Sequence, residues 1–311
     1  MRVGSSQLSL FPEMELDCSP HKHVVNVASV PQRSPFRYPG GKTWLVPTAR
    51  KWFSLADDKA ELVEVFAGGG IIGLTAAAEH YFSKVTMIEL DSDVAAVWQT
   101  IFSKSDVAWL VARIKTFELN VDNIKEAISL ADAGIKERAF STIIRNRTNH
   151  GGILAKGSGM IKSGEAGKGL SSRWYPETLI RRIEVAHKLR NCINFMQMDA
   201  FKIIEQRKND KNAFFFIDPP YTVAGRRLYN LFNVDHRKIF ELASQIKGHF
   251  LLTYDDAEEV RNWADEFGLM YRTIPMQTTH LIKKNELLIS DNFDWLEEAT
   301  LQYEYKSAVV G

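Results

Sequence analysis

Cysteines, long apolar runs and net charge are all scarce in this sequence of 311 residues. Cys18 and Cys192 are the two cysteines, and their spacing fits neither a metal site nor a disulfide framework. No apolar run approaches the roughly 20 residues that cross a membrane, and the first residues do not resemble a signal peptide. We therefore expect a reduced, cytoplasmic protein without a bound metal or a membrane partner. The net charge of +1 excludes no partner, because an acidic face can balance a basic one.

Positive charge is concentrated in one stretch of the chain. Residues 136–190 contain twelve Lys and Arg and four Asp and Glu, which gives this stretch a net charge of +8. Such a stretch suits a polyanion, because each phosphate that it neutralises releases counterions. A basic surface that is simply solvated would have the same composition, so both interpretations stay open.

The order of apolar runs and glycines predicts an α/β fold. Residues 61–66 are typical of a buried strand, and glycines and a helical run at 71–80 follow them. A second strand at 84–90 and a helix from Ser92 complete a strand–glycine turn–helix–strand unit, which is the opening of a doubly wound, Rossmann-like nucleotide-binding sheet. Three further strands and a final hairpin are predicted at residues 195–199, 213–218, 249–254, and 272–279 with 285–290.

A basic, mainly helical region interrupts this alternation, which predicts an insertion in one α/β domain. Residues 34–103 and 191–292 form the predicted sheet domain, and residues 104–190 form the insertion. Residues 1–33 are polar and contain several prolines, so we expect a flexible N-terminal tail there. Residues 293–311 are predicted as a C-terminal tail.

Residues 64–70, Glu-Val-Phe-Ala-Gly-Gly-Gly, predict a ligand-binding turn at the end of the first strand. Gly68 and Gly70 let a ligand approach the backbone beside Phe66, and the following helix supplies free N–H groups. The spacing differs from the G-x-G-x-x-G of nicotinamide enzymes. A glycine turn with a purely structural role stays an alternative.

Two acidic residues follow the second strand. Glu89 stands about 20 residues after the turn, where a carboxylate can accept both ribose hydroxyls of an adenosine cofactor. Asp91 is close enough to compete for this role. An acid at this place can instead cap the helix that begins near Ser92, so the assignments stay open.

The motif Asp218-Pro219-Pro220-Tyr221 carries the most specific chemical signal. An apolar run at 214–217 leads directly into it, which places Asp218 at the carboxyl end of a strand, where α/β enzymes keep their sites. The Asp218 carboxylate and the Pro219 carbonyl can accept the two protons of an adenine amino group. They would thereby favour the pyramidal nitrogen that forms as it attacks a sulfonium methyl group. The prolines stiffen the backbone, and Tyr221 offers a flat face to an extruded base.

Neither cysteine has the neighbours of a catalytic nucleophile. Methylation of cytosine carbon 5 needs a cysteine, typically after a proline, whereas methyl transfer to an amino nitrogen needs no covalent enzyme intermediate. Cys18 and Cys192 do not follow a proline. The sequence therefore disfavours the carbon-5 reaction.

Residues 36–42 (Phe-Arg-Tyr-Pro-Gly-Gly-Lys), 64–70 and 218–221 occur in a specific order. In that order they resemble the Dam-type (alpha-group) family of site-specific DNA adenine N6-methyltransferases, over about residues 34–292. The resemblance implies an S-adenosylmethionine-dependent methyltransferase sheet, S-adenosylmethionine as cofactor, and double-stranded DNA as substrate. It also implies that the insertion is the DNA target-recognition domain, although residues 151–172 depart from the GATC-methylating members. Lesser matches are residues 145–148, 253–256 and 285–289.

The resemblance implies a role for each residue that matches a family motif. Tyr38, where the family often has Trp, and Lys42 would close over the cofactor. Glu89 would hold the ribose, although Asp is commoner there. Asp199 would hydrogen-bond the adenine of the cofactor, with Phe201 packing nearby. The catalytic set is Asp218, Pro219, Pro220 and Tyr221, and the cofactor set is Tyr38, Lys42, Phe66, Gly68, Gly70, Glu89, Asp199, Phe201 and Asp218.

Polar and basic side chains in the insertion are predicted to contact DNA. Those suited to base edges are Arg145, Asn146, Arg147 and Asn149, and those suited to phosphates are Lys156, Lys162, Lys168 and Arg173. Several of these arginines can equally brace the insertion against the sheet domain. Trp174 and Tyr175 either insert into the base stack or belong to the core, which is the commoner role of such a pair.

Residues 7–11, Gln-Leu-Ser-Leu-Phe, resemble the short peptide by which bacterial replication and repair proteins bind the DNA polymerase sliding clamp. A flexible tail could place Leu8, Leu10 and Phe11 in an apolar groove, with Gln7 setting the register. The same apolar residues could instead fold back on their own domain.

The sequence as a whole predicts methyl transfer from S-adenosylmethionine to the N6 amino group of a flipped adenine in duplex DNA. Transfer to the cytosine N4 amino group is an alternative, because it poses the same problem to a similar pair of acceptors. A catalytically inactive DNA-binding protein is an alternative from another class. We expect a monomer.

Overall fold

The computed structural model describes residues 30–37, 41–155, 157–164, 167–221, 234–277 and 283–296. These residues contain β1 (Glu61–Glu64), β2 (Lys84–Glu89), β3 (Ile193–Gln197), β4 (Ala213–Ile217), β5 (His249–Asp255), β6 (Met270–Gln277) and β7 (Lys283–Ser290). The strands form one sheet in the order β3-β2-β1-β4-β5-β7-β6. Neighbours among β1 to β5 are parallel, and β7 runs antiparallel to both β5 and β6. The predicted doubly wound α/β sheet is confirmed.

The α-helices of the described residues lie between the strands and in the region before β3. They are α1 (Val46–Phe53), α2 (Ile71–Ala78), α3 (Ser92–Phe102), α4 (Val107–Thr116), α5 (Val121–Ser129), α6 (Ile135–Thr148), α7 (Pro176–Lys188), α8 (Ala200–Arg207), α9 (His236–Ala243) and α10 (Glu258–Glu266). No helix in this part of the chain is both long and apolar enough to cross a membrane.

Strand β4 shows that the sheet is buried on both faces. Phe214 and Phe216 pack in one buried cluster, and Phe215 and Ile217 pack in another. Because the side chains of a strand alternate between its faces, a central parallel strand between two helical layers needs an uninterrupted apolar run. Residues of α1, α2 and α3 belong to the first cluster, and residues of α8, α9 and α10 belong to the second.

The helical region at 104–190 packs against the first of these layers. Leu110 of α4, Phe140 of α6 and Ile183 of α7 are fully buried in the cluster that contains Met87 of the sheet. An ion pair between Arg145 and Asp93, with 2.6 Å between Nη2 and Oδ2, joins α6 to α3. These helices therefore share a core with the sheet, and a separate recognition domain at 104–190 stays a prediction.

Both predicted tails contact the core where they join the sheet domain. Val30 packs against the first cluster, and Arg33 lies 3.1 Å from Glu79 in an ion pair. Phe293 and Trp295 are 3% and 5% exposed. An ion pair and buried aromatic rings therefore hold the chain at both boundaries, and the domain boundaries at residues 33 and 293 stay predictions.

Cys192, just before β3, is buried. Cys18 lies outside the described residues.

The winding of the sheet reverses between β1 and β4. The chain moves outward from β1 to β2 and β3, and then returns to place β4 on the other side of β1. In open α/β sheets, ligands bind at the carboxyl ends of the strands at such a switch point. Glu64 pairs with Phe216 in parallel register, so the loops at 65–70 and 218–221 leave the same edge of the sheet as neighbours.

Candidate active site

The glycine turn after β1 is fixed by contacts on several sides. The Ala67 N–H donates to the Ile88 carbonyl at 2.8 Å, and the Trp98 indole N–H donates to the Gly68 carbonyl at 2.9 Å. Gly70 is the N-cap residue just before α2 and has a φ of 63°. A Cβ atom at Gly70 would lie 2.5 Å from the end of Met87 and 2.9 Å from Trp98. Both the backbone conformation and the available space therefore require glycine at this position.

The two acids after β2 have separate contacts. Glu89 accepts hydrogen bonds from the N–H groups of Gly68 and Asp91, both at 2.8 Å. Burial raises the pKa of Glu89 to about 7, although these two hydrogen bonds favour the charged carboxylate and so lower the pKa. Asp91 caps α3 by accepting from the Asp93 N–H at 2.8 Å. The capping role thus belongs to Asp91, and Glu89 is the acid at the glycine turn.

Glu64 is an acidic group that the sequence analysis did not single out. It is 2% exposed, and its Oε2 accepts from the Gly73 N–H at 3.0 Å. Burial, with a further contribution from the nearby Asp218 carboxylate, raises the pKa of Glu64 to about 8. A glutamate at the end of β1, between the apolar pairs 62–63 and 65–66, was the signal in the sequence.

Asp218 follows β4 directly and is held on one side. Its Oδ1 lies 2.9 Å from Lys42 Nζ and accepts from the Thr253 hydroxyl at 2.8 Å. The side chain is 20% exposed. An ion pair that enclosed both oxygens would prevent the carboxylate from binding a substrate. Among the described residues both bonds converge on Oδ1, which leaves Oδ2 available.

Lys42 connects Asp218 to a second buried acid, Glu286 of β7. Lys42 Nζ lies 3.1 Å from Glu286 Oε1 and donates to the Tyr221 hydroxyl at 2.8 Å, while that hydroxyl donates to Glu286. Burial would lower the pKa of Lys42, but the Asp218 and Glu286 carboxylates raise it above its ordinary value. Burial raises the pKa of Glu286 to about 7. Lys42 therefore remains charged, and four side chains from distant parts of the chain form one network.

Tyr221 completes the motif after β4. Its ring stacks on that of Tyr254 with 5.7 Å between centroids and an interplanar angle of 20°, and the Tyr254 hydroxyl lies 2.8 Å from His236 Nδ1. Pro219 is buried and Pro220 is half-buried. The ring position is thus fixed, and stacking of a substrate base on Tyr221 stays a prediction.

The remaining residues predicted to bind the cofactor lie near this edge or outside the described part of the chain. Asp199 accepts from the Phe201 N–H at 2.7 Å and caps α8. Phe201 and Phe66 are half-buried against the second cluster. Tyr38 lies outside the described residues, as do Lys156 and the clamp-like segment at 7–11.

Three residues predicted to contact base edges point into the protein instead, which corrects that expectation. Asn146 is 1% exposed; it accepts from the Arg37 N–H at 2.9 Å and donates to the carbonyls of Arg37 and Gly152 at 3.0 and 2.9 Å. Arg147 donates to the Pro35 carbonyl. Asn149 donates to the Ile153 carbonyl at 2.9 Å. These polar groups are used in joining α6 to neighbouring loops, and the ion pair of Arg145 braces α6 in the same way.

The two aromatic residues near the end of the insertion differ in their exposure. Trp174 is half-buried and contacts the Phe117 ring at 5.7 Å between centroids, so it belongs to the core. Tyr175 is 52% exposed. Lys162 and Lys168 are exposed, as a phosphate contact requires.

Comparison with known proteins identifies a family pattern over most of the chain. Residues 38–276 match the family described as D12 class N6 adenine-specific DNA methyltransferase. A search among curated proteins gives no match. A precorrin-6y C5,15-methyltransferase from Geobacter metallireducens GS-15 has 9% identity, a TM-score of 0.36, and coverage of 82% of this chain and 91% of its own. The methyltransferase domain of bacterial CtHen1-CN has 9% identity, a TM-score of 0.33, and coverage of 79% and 98%. Structural likenesses this weak carry no argument about activity.

Proposed function

Because the chain belongs to the D12 class N6 adenine-specific DNA methyltransferase family, we propose that Asp218 and the Pro219 carbonyl orient the adenine amino group for methylation. The chain is an adenine-specific DNA methyltransferase, and the family implies S-adenosylmethionine as the methyl donor. The observation that carries the proposed arrangement is the position of Asp218 beside the glycine turn at the switch point of the sheet.

The residues around the glycine turn fit the proposed cofactor. Glu64, Glu89 and Asp218 place three carboxyl groups around this edge of the sheet, and a carboxyl group attracts a cation when it is ionised. S-adenosylmethionine supplies a methyl group on a positively charged sulfur atom. We propose that Glu89 holds its ribose, and that Asp199 with Phe201 holds its adenine.

Asp218 has the geometry to act as a rigid acceptor. Lys42 and Thr253 both bind Oδ1, so the carboxylate cannot rotate freely and Oδ2 keeps one direction. With the Pro219 carbonyl, Oδ2 would accept the two amino protons and direct the nitrogen lone pair at the methyl group. S-adenosylmethionine would supply the methyl group and leave as its neutral thioether, and Asp218 would accept the proton that the methylated nitrogen loses.

We propose that the adenine leaves the duplex before it reacts. The Asp218 side chain is only 20% exposed at the carboxyl edge of the sheet, so an adenine within stacked DNA could not contact it. An extruded base can reach such a site. The exposed lysines at 162 and 168 support a DNA-binding role for residues 104–190.

The base that is modified can be measured directly. The purified protein would be incubated with methyl-labelled S-adenosylmethionine and duplex DNA from a host without DNA methylation, and the labelled nucleoside would be identified after digestion. We expect label in N6-methyl-2′-deoxyadenosine alone. Label in N4-methyl-2′-deoxycytidine, or DNA binding without label, would contradict the proposal. Mapping the modified positions in the same DNA would give the recognition sequence.

A further inference from the structure

Glu286 of β7 is a buried carboxyl group in an apolar part of its strand. It is 2% exposed, and the leucines and isoleucine at 287–289 that follow it are fully buried. In the neighbouring strands it pairs with Asp255 of β5 and Ile274 of β6. A carboxyl group at such a place loses its hydration, which costs free energy unless protein groups replace the water. The partners of Glu286 therefore indicate what this residue does.

Two partners of Glu286 bind the same oxygen atom. Lys42 Nζ lies 3.1 Å from Oε1, and the Tyr221 hydroxyl donates to Oε1 as well. Oε2 is buried and, within the described part of the chain, has no hydrogen-bond partner. A buried polar atom without a partner destabilises a fold and is uncommon in native proteins. Stability alone therefore does not account for a carboxyl group at this position.

The Lys42 ammonium group joins Glu286 to the motif at 218–221. Its Nζ lies 2.9 Å from Asp218 Oδ1 and 3.1 Å from Glu286 Oε1, and it donates to the Tyr221 hydroxyl at 2.8 Å. An ammonium group has three N–H donors, which matches these three acceptors. The Lys42 side chain is 5% exposed, so water screens its charge from the two carboxylates only weakly. Lys42 is thus a buried cation shared by two acids.

The charge of Glu286 changes how strongly Lys42 acts on Asp218. When Glu286 is ionised, one cation is divided between two carboxylates. When Glu286 is protonated, the charge of Lys42 acts more fully on Asp218, and a carboxylate beside a stronger positive charge accepts further protons less well. Burial raises the pKa of Glu286 to about 7 although Lys42 lowers it, and the Asp218 charge adds to the rise. Both charge states of Glu286 therefore occur near neutral pH.

We propose that Glu286 is a positioning residue for methyl transfer, an inference that rests on the proposed function. It divides the charge of Lys42 between two acids, so that Asp218 stays a strong acceptor for the adenine amino protons. The same oxygen of Glu286 holds the Tyr221 hydroxyl, which ties both ends of the motif at 218–221 to β7. In this role Glu286 acts through Lys42 and Tyr221 and does not contact the substrate base.

The test compares Glu286→Gln with wild type in single-turnover methyl transfer between about pH 5.5 and pH 8.5, with DNA and S-adenosylmethionine saturating. Gln can still accept from Lys42 and Tyr221, but it carries no charge at any pH. We expect similar rate constants near pH 5.5, where Glu286 is protonated in the wild type. Near pH 8.5 the wild-type residue is ionised, and the variant should be roughly tenfold slower. A single-turnover rate constant, unlike the amplitude, does not depend on the fraction of folded protein.

The matched control is Glu61→Gln. Glu61 is also a buried glutamate of a strand with a basic partner, since its Oε1 lies 3.0 Å from Arg207 Nη1. It is the first residue of β1, at the opposite end of the strand from the glycine turn. This control should lose stability and keep the wild-type rate constant at every pH. Glu286→Asp keeps the negative charge, so its rate relative to wild type should change much less with pH than that of Glu286→Gln.

A ratio of the Glu286→Gln rate to the wild-type rate that is constant with pH would overturn the inference, because a residue needed only for packing would slow the reaction equally throughout. If Glu286→Gln does not fold, as judged by circular dichroism, Glu286→Met takes its place. Met is also uncharged and leaves no buried oxygen without a partner, so the same dependence on pH is expected. A wild type without methyl transfer would refute the proposed function. An active wild type with a constant ratio would contradict only the role of Glu286.

Discussion

Replacing Glu64 by Gln isolates the effect of one buried charge on stability. The side chain is 2% exposed, and Oε2 accepts a hydrogen bond from the Gly73 N–H. The Gln carbonyl oxygen can keep that bond, whereas the charge is lost at every pH. The backbone of Gly73 lies close to the Glu64 carboxyl group, since a Cβ at Gly73 would lie 2.5 Å from Glu64 Oε2. The residue that replaces Glu64 must therefore have the same shape.

The size of the change in unfolding free energy follows from the pKa of Glu64 in the folded and unfolded states. Burial raises it from 4.5 in the unfolded chain to about 8 in the folded protein. Between these values the folded state binds more protons than the unfolded state, so the group lowers stability progressively as the pH rises. Relative to an uncharged residue, the expected loss is about 1 kcal/mol at pH 5 and roughly 3 kcal/mol at pH 7.

Urea denaturation of both proteins at pH 5, 6, 7 and 8 gives the difference in unfolding free energy directly. We expect Glu64→Gln to gain stability over wild type as the pH rises, by roughly 2 kcal/mol between pH 5 and 7. Titrating groups that do not interact with Glu64 are common to both proteins and cancel in this difference. A difference that does not depend on pH would show that Glu64 ionises normally, and the assignment of a protonated acid beneath the glycine turn would be wrong.

Three other variants test further contacts. Gly70→Ala should destabilise the protein by about 1–3 kcal/mol in urea denaturation, because its Cβ would meet Met87 and Trp98 and its φ is positive; a neutral effect would contradict the described turn. Asn146→Ala removes a buried amide with three hydrogen bonds and should cost roughly 2–4 kcal/mol of stability, with the methylated DNA sequence unchanged; an altered target sequence at full stability would restore it as a base contact. Affinity for S-adenosylmethionine, measured by calorimetry, should rise from about pH 6 to pH 8, because Glu89, with a pKa of about 7, binds a cation better when ionised. Glu89→Gln should weaken that dependence, and equal pH dependence in both proteins would contradict the assignment.

The sheet and its two loops were predictable because local sequence determines them. Strand β4 is an unbroken apolar run, and the glycines at 68–70 directly follow the apolar residues 65–67. In a doubly wound sheet these strands are neighbours, so the positions of Asp218 and the glycine turn follow from chain order. The hairpin of β6 and β7 also follows from its apolar pattern.

The network around Lys42 could not be derived in this way. Lys42, Tyr221 and Glu286 are far apart in the sequence, and only the antiparallel position of β7 beside β5 brings Glu286 to the site. Burial likewise decides the roles of polar residues in α6. Asn146 and Arg147 have the side chains of a DNA-contacting surface, but their faces of the helix are inside the protein.

The proposed reaction depends most directly on the carboxylate of Asp218. Asp218→Asn keeps the shape of the side chain and an oxygen for Thr253, but it removes the charge paired with Lys42 and one acceptor for the adenine amino group. Single-turnover methyl transfer, with DNA and cofactor both saturating, measures this loss without interference from binding. We predict a rate at least about a hundredfold below wild type, with the affinity for DNA nearly unchanged. A variant that transfers the methyl group at close to the wild-type rate would contradict the central claim.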